Sequence, residues 1–342
     1  MTTLAAAPGL GVRPVSWNRL AWVTWRRYRF TLAAVILVLA VLGLELLLSG
    51  QQVRSAYNTL KACTPADSPR CRFLDENFHN KYGGGGFLAP VLILLPGILG
   101  AFAGAPLIAK ELETGTFRYA WTQGVGRMRW AVSLLLPSGL VLAGLVAAFG
   151  RLVAWHDQPL ADARIQGRLE PVTFATSGVD VAGWALLGFA LGVFAGVAWR
   201  RVVPGVASAF AAWFGLALLA SRERGHYLTP LRTTSLDLSP RNLEVSQWWT
   251  KGGVRVPQSQ IDQTLQSLGA EVSGHGIKVH VVPSPTSVDP IQYLLDHGYT
   301  QITTYQPASR YWTLQWIETG GLVALSAVLL GLAFWLLRRR AA

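Results

Sequence analysis

Apolar residues in this chain fall into six long runs with polar segments between them. The runs are Phe30–Ser49, Phe87–Ala109, Trp130–Val153, Val181–Trp199, Val202–Ala220 and Gly320–Leu337, each of eighteen residues or more. A helix of that length crosses a hydrocarbon core of about 30 Å, so the pattern predicts six transmembrane helices. Pro90, Pro96 and Pro106 fall in the second run and Pro137 in the third. Membrane helices tolerate proline when neighbours satisfy the freed backbone groups.

The polar segments differ in kind. Trp17 to Arg29 reads WNRLAWVTWRRYR. Its Trp22, Trp25, Arg26, Arg27 and Arg29 suit a helix lying at the membrane interface, within a terminal segment of residues 1–29. Residues 50–86 form a loop with both cysteines of the chain, Cys63 and Cys71. Two cysteines confined to one loop predict a disulfide on an oxidising face. Gly83–Gly86 lacks the Lys-Ser or Lys-Thr of a phosphate cradle and reads as a flexible lead into the second run. Ala154–Gly178 reads as a polar loop, and Arg200–Arg201 as a tight turn.

Residues 221–317 are the longest polar stretch. Ile261, Leu265 and Leu268 share a helical face. Asp289 and Pro290 start a short helix that Gly298 stops. Ile277–Val282 and Tyr299–Tyr305 read as strands. The fold class is therefore an all-α polytopic membrane protein of six transmembrane helices, with a small extracytoplasmic α+β domain between helices five and six. Residues 30–220 hold the first five helices. Residues 318–342 hold the sixth and a basic tail, Arg338–Arg340.

Composition agrees, with 51% hydrophobic and only 14% charged residues. The net charge of +12 does not indicate nucleic-acid binding, because the charges flank apolar runs and form no continuous basic face. Their distribution sets orientation instead. Segments 1–29, 110–129, 200–201 and 338–342 carry fourteen Lys and Arg in 56 residues, against sixteen in about 160 residues on the opposite side. The positive-inside rule places the first set, with both termini, in the cytoplasm. The cysteine loop then lies outside, in line with a disulfide. The expected location is the cytoplasmic membrane.

Chemistry is sparse. No acid or base sits near the middle of any run, which disfavours an ion-coupled carrier. The sequence lacks G-x-S-x-G, H-E-x-x-H, C-x-x-C and G-x-x-x-x-G-K-[ST], so no enzyme is indicated and any ATP must be hydrolysed elsewhere. His275 and His280 fall on opposite faces of a strand, unsuited to one metal. Gly188, Gly192 and Gly196, and Gly100 and Gly104, recur at four-residue spacing for close helix packing, inside the chain or at a dimer seam.

One segment carries recognisable residues. Glu111 to Arg118 reads ELETGTFR, followed by AWTQ at Ala120–Gln123 and RMRW at Arg127–Trp130. With Thr24-Trp25-Arg26 and the stretch Tyr299–Arg310, this resembles type 2 ABC transporter permeases over essentially the whole chain. The resemblance implies a coupling helix in the loop 110–129, docking on a separate ATP-binding cassette ATPase through Glu111, Glu113, Gly115, Thr116, Phe117, Arg118 and Trp121. It also implies that ATP and magnesium are bound by that partner, and that permeases pair as a homodimer or heterodimer. Many members have little between helices five and six, where this chain has a domain. The residues agree independently. Gly115 can break a helix, Thr116 can cap the next, and Phe117, Trp121, Val125 and Met128 form an apolar stripe, weakened by Gly124 and Gly126. Such a stripe can lie on the bilayer or on a partner. The two readings are an exporter subunit for an amphipathic or apolar compound, and a membrane sensor or scaffold with a ligand-binding outer domain.

Overall fold

Among the described residues six helices are long and apolar enough to cross a membrane, and they coincide with the six apolar runs. The structure, a computed structural model, describes residues 17–65, 67–83, 88–115, 127–236, 238–239, 241–267 and 290–340. Helix α1 spans Trp17–Lys61, 45 residues without a break. A separate interfacial helix over residues 17–29 is therefore absent. No Gly or Pro interrupts this stretch, so its hydrogen-bond ladder runs directly into the first span. Trp22 and Trp25 are exposed on it, while Tyr28 is buried.

The cysteine segment is helical too, not a loop. Helix α1 continues to Lys61, and α2 follows over Pro69–Tyr82. Ser68 caps α2, its Oγ accepting the Cys71 N–H at 3.2 Å, and Pro69 takes the first helical position. Cys63 and Cys71 are disulfide-bonded with Cα atoms 5.7 Å apart. Phe78 of α2 packs on Val53 and on Leu160 of α4, the helix Arg127–Asp162. Breaking the disulfide with Cys63→Ser should cost this hairpin about 2–3 kcal/mol. Hydrogen exchange in residues 69–82 should rise while the spans stay protected. Unchanged protection of α2 would show that packing alone holds it.

The remaining helices are α3 (Leu88–Thr114), the short α5 (Pro171–Thr176), α6 (Asp180–Trp199) and α7 (Val202–Glu223). The segment 154–178 is thus largely helical: α4 runs on to Asp162, and α5 precedes α6. Helix α6 is the hub. Its apolar stretch is 78% buried, against 28%, 17% and 22% for the first, fifth and sixth spans. It packs on α3, α4, α7 and the last helix, α10 (Tyr311–Arg340), whereas α1 packs mainly on α4. The outward faces of α1, α7 and α10 remain apolar, which lipid accepts without penalty.

Between α7 and α10 the chain forms a four-stranded antiparallel sheet, in the order β1-β4-β2-β3. Its strands are β1 (Leu231–Thr233), β2 (Leu243–Lys251), β3 (Val254–Val256) and β4 (Tyr299–Gln306). Gly252 and Gly253, at φ +57° and +83°, make the tight turn from β2 to β3. Helices α8 (Gln258–Ser267) and α9 (Pro290–Asp296) supply Ile261, Leu265 and Leu294 to a core with Trp249 and Tyr299. The predicted strand at 277–282 and Leu268 lie outside the described residues.

The sheet is tied to the bundle by polar bonds. The buried Gln306 side chain donates to the carbonyls of Gly225 at 2.9 Å and Leu228 at 2.6 Å. Arg310 donates to Thr229 O and to Gln306 Oε1, both at 2.8 Å. The end of β4 is thereby fixed to the end of α7, and α10 starts from that junction.

Candidate functional site

Two regions join helices that lie far apart in sequence, one at each end of the bundle. The first is at the end away from the sheet. Helix α3 outruns its apolar stretch through Lys110, Glu111 and Glu113, and stops at Thr114. Gly115 has φ +72° and ends it. A Cβ there would meet nothing within 4 Å, so the left-handed backbone, not crowding, favours glycine. Arg200, also left-handed at φ 56°, ends α6 by donating its N–H to Gly196 O at 3.0 Å. Helix α7 then begins at Val202, whose N–H donates to Glu113 Oε2 at 3.3 Å. A carboxylate at a helix N-terminus meets unsatisfied N–H groups and a favourable dipole. Glu113 therefore links the end of the second span to the start of the fifth.

Glu111 is buried, beside a cavity of about 480 Å³ that Tyr28, Thr31, Pro106, Lys110 and Leu134 also line. Thr116, Phe117, Arg118 and Trp121 lie outside the described residues, as does Val125; Met128 falls in the first turn of α4. On α1, the Arg26 guanidinium lies 5.5 Å from the Trp22 ring centre and that of Arg29 4.8 Å from the Phe30 ring. The Arg27 side chain is outside the described residues.

The glycine series lies on the contact between the second and fourth spans. A Cβ on Gly192 would come within 2.8 Å of Ala105 N and 2.9 Å of Ala101 O. One on Gly196 would come within 2.7 Å of Ala105 O, and one on Gly100 within 2.6 Å of Ala185 O and Phe189 N. Gly188 faces the carbonyls of Pro96 and Gly97, both at 3.3 Å from its Cβ position. These glycines pack inside one chain.

The second region is at the sheet end, where α6, α7 and α10 meet. Arg224 is 3% exposed, Glu318 5% and Asp180 0%. The guanidinium grips Glu318 twice, Nε to Oε2 at 3.0 Å and Nη2 to Oε1 at 2.9 Å. It also stacks 4.1 Å from the Phe174 ring centre. Trp184 Nε1 donates to Asp180 Oδ2 at 3.0 Å and to Glu318 Oε1 at 3.1 Å. Gln315 Oε1 accepts the N–H groups of Val179 and Asp180 at 3.0 and 2.9 Å, capping α6 from another helix. Its Nε2 donates to Phe174 O at 3.1 Å. Burial, and then the charges of Glu318 and Asp180 against the opposing effect of Arg224, push the Tyr227 hydroxyl well above its ordinary pKa. Sequence reasoning assigns no role to Asp180, Arg224 or Glu318, because each sits just beyond an apolar run. The one available signal is Asp180 and Trp184 at i and i+4, on one helical face. Among the described residues, no three His, Cys, Asp or Glu side chains gather as a metal site requires.

A family model described as ABC-2 membrane transporter related matches residues 36–223. The match runs from α1 to the end of α7. It takes in the glycine contact, the Glu113 cap and Asp180, and ends before the sheet and α10. Comparisons with curated proteins and with solved structures gave no match.

Proposed function

The chain belongs to the ABC-2 membrane transporter related family, and on that premise we propose that it exports an amphipathic or apolar compound with ATP hydrolysed by a separate partner subunit. It is a multi-pass membrane protein, the membrane component of such a transporter. In this reading the end bearing Glu113 faces the cytoplasm, as the excess of Lys and Arg there supports, and the sheet lies outside. Two such chains, alike or different, alternate as the partner ATPases close and open. ATP and magnesium sit in the partner.

The observation that carries the reading is the Glu113 to Val202 bond. It makes the last turn of α3 and the first turn of α7 one mechanical unit at the foot of the segment 110–129. Force on that segment reaches the second and fifth spans together, and the fourth through the Arg200–Arg201 turn. The cargo class follows from span middles free of charge.

Gly115→Pro and Glu113→Arg test this. Proline supplies no φ above zero. Arginine puts a cation where α7 presents its positive end. Both variants should insert normally but lose about tenfold or more of coupled ATP hydrolysis and export, an effect of roughly 1.4 kcal/mol. Co-purification in mild detergent with a stoichiometric P-loop ATPase should be lost with Glu113→Arg. Unchanged export from both variants sinks the coupling role. A chain that purifies alone and without ATPase activity, from cells expressing its neighbours, favours the sensor reading instead.

A further inference from the structure

A cavity of about 310 Å³ opens at the sheet end between α4, α5 and the start of α10. Arg151, Trp155, Arg168, Ser177, Tyr311 and Trp312 line it. We propose that it binds the anionic headgroup of an amphiphile, a phosphate or carboxylate carried on an apolar body.

Arg151 comes from α4 and Arg168 from the segment before α5, yet both side chains line the same cavity. Neither makes an ion pair or a hydrogen bond among the described residues. Two convergent, unengaged guanidiniums suit one oxyanion. One acid, Asp157, shares the lining, but its Oδ1 is engaged by His156 Nδ1 at 2.8 Å. Nearby Glu170 has its carboxyl pKa raised by burial and by the charge of Asp157, so these two acids already crowd one another. Two arginines against one aspartate leave the lining net positive.

The walls suit an amphiphile. Ser177 Oγ donates to Thr173 O at 2.5 Å and lies 3.2 Å from the Tyr311 hydroxyl. With the Ser177 proton taken by Thr173 O, the Tyr311 O–H is the donor of that contact, and it can turn to a ligand only by leaving Ser177. Trp155 is held in place by Arg54, whose guanidinium lies 4.7 Å from its ring centre and whose Nη2 donates to Trp155 O at 2.8 Å. Trp312 in the same lining stands half exposed, and further along α10 Trp316, Ile317 and Val323 are exposed apolar side chains. Tryptophans at a span end mark headgroup depth. A headgroup in the cavity would leave its chains on those side chains, in the bilayer.

Binding of this kind is independent of the transport cycle. It is tested with the full chain in neutral detergent, titrated by calorimetry with dihexanoyl phosphatidate, dihexanoyl phosphatidylcholine and inorganic phosphate. Saturable phosphatidate binding is expected, at least about tenfold tighter than either other probe. Arg151→Gln and Arg168→Gln should each weaken it about tenfold, the usual worth of a charge-assisted hydrogen bond, and Arg151→Lys less. Both arginines are exposed, so the variants should melt as the parent does, which controls for folding. Inorganic phosphate binding as tightly as phosphatidate, with the same losses, would replace the amphiphile by a free anion and overturn the proposal. So would undiminished phosphatidate binding by the double glutamine variant, or no saturable binding at all. The assay involves no ATPase, so a negative result would leave the coupling experiment unaffected.

Discussion

Replacing Arg224 with methionine is expected to destabilise the bundle by about 3–5 kcal/mol, the cost of stripping the counter-charge from a buried ion pair. The arginine is buried between Glu318 and the Phe174 ring, and Asp180 is wholly buried beside the same glutamate. Without the guanidinium, two carboxylates share a dry site with Trp184 Nε1 as their common donor. The neighbouring substitutions should rank in a set order. Glu318→Gln keeps a hydrogen-bonding group and should cost about 1–3 kcal/mol. Asp180→Asn should cost least, because its amide oxygen still accepts from Trp184 and one of two like charges is gone. The double variant Arg224→Met, Glu318→Met should recover much of the single loss, since apolar replacement of a whole buried pair is often neutral. Unfolding of each variant by denaturing detergent reads these differences. An Arg224→Met protein as stable as the parent, or a double variant worse than the single, would show that the cluster is not a structural node.

The reason this node was not legible in the sequence is geometric. Arg224 and Glu318 are 94 residues apart, and Trp184 and Glu318 are 134 apart. No local spacing joins them. Each also lies outside the apolar run it belongs to: Asp180 before Val181, Arg224 after Ala220, Glu318 before Gly320. Apolar runs report the hydrocarbon thickness, whereas the helices continue beyond it wherever the backbone has no reason to stop. That is why six spans were plain, while the extensions of α1 and α4, and the helical hairpin at the cysteines, were not. The disulfide was legible because both cysteines sit in one segment. The strand β4 was legible from its β-branched and aromatic residues, but β2 was not. A bulge at Glu244–Ser246 breaks the alternation that would have marked it. Of the loop-end residues, Gly115 announces its own backbone angle, whereas the partner of Glu113 is Val202 N, 89 residues away.

The effect of adding a methyl group to a glycine changes sign with position in this bundle. A methyl group added to a helix normally helps, since alanine is about 0.5–1 kcal/mol better than glycine in a helix interior. At Gly331 in α10 and Gly144 in α4 an added Cβ would have nothing within 4 Å. Alanine there should be neutral or stabilising by that amount. At Gly100 and Gly192 the same methyl would sit 2.6 and 2.8 Å from backbone atoms of the facing helix. Backbone cannot rotate away as a side chain can, so the second and fourth spans must separate. Overpacking of this kind costs about 1–3 kcal/mol. The cost is not refunded by lipid, because membrane helices associate through close packing and not through hydrophobic burial. Gly100→Ala and Gly192→Ala should therefore each lose about 1–3 kcal/mol, with Gly192→Ala further impairing the hub helix that touches five others. Thermal unfolding of the four alanine variants in one detergent decides it. Equal melting at all four positions would mean that α3 and α6 do not pack through these glycines.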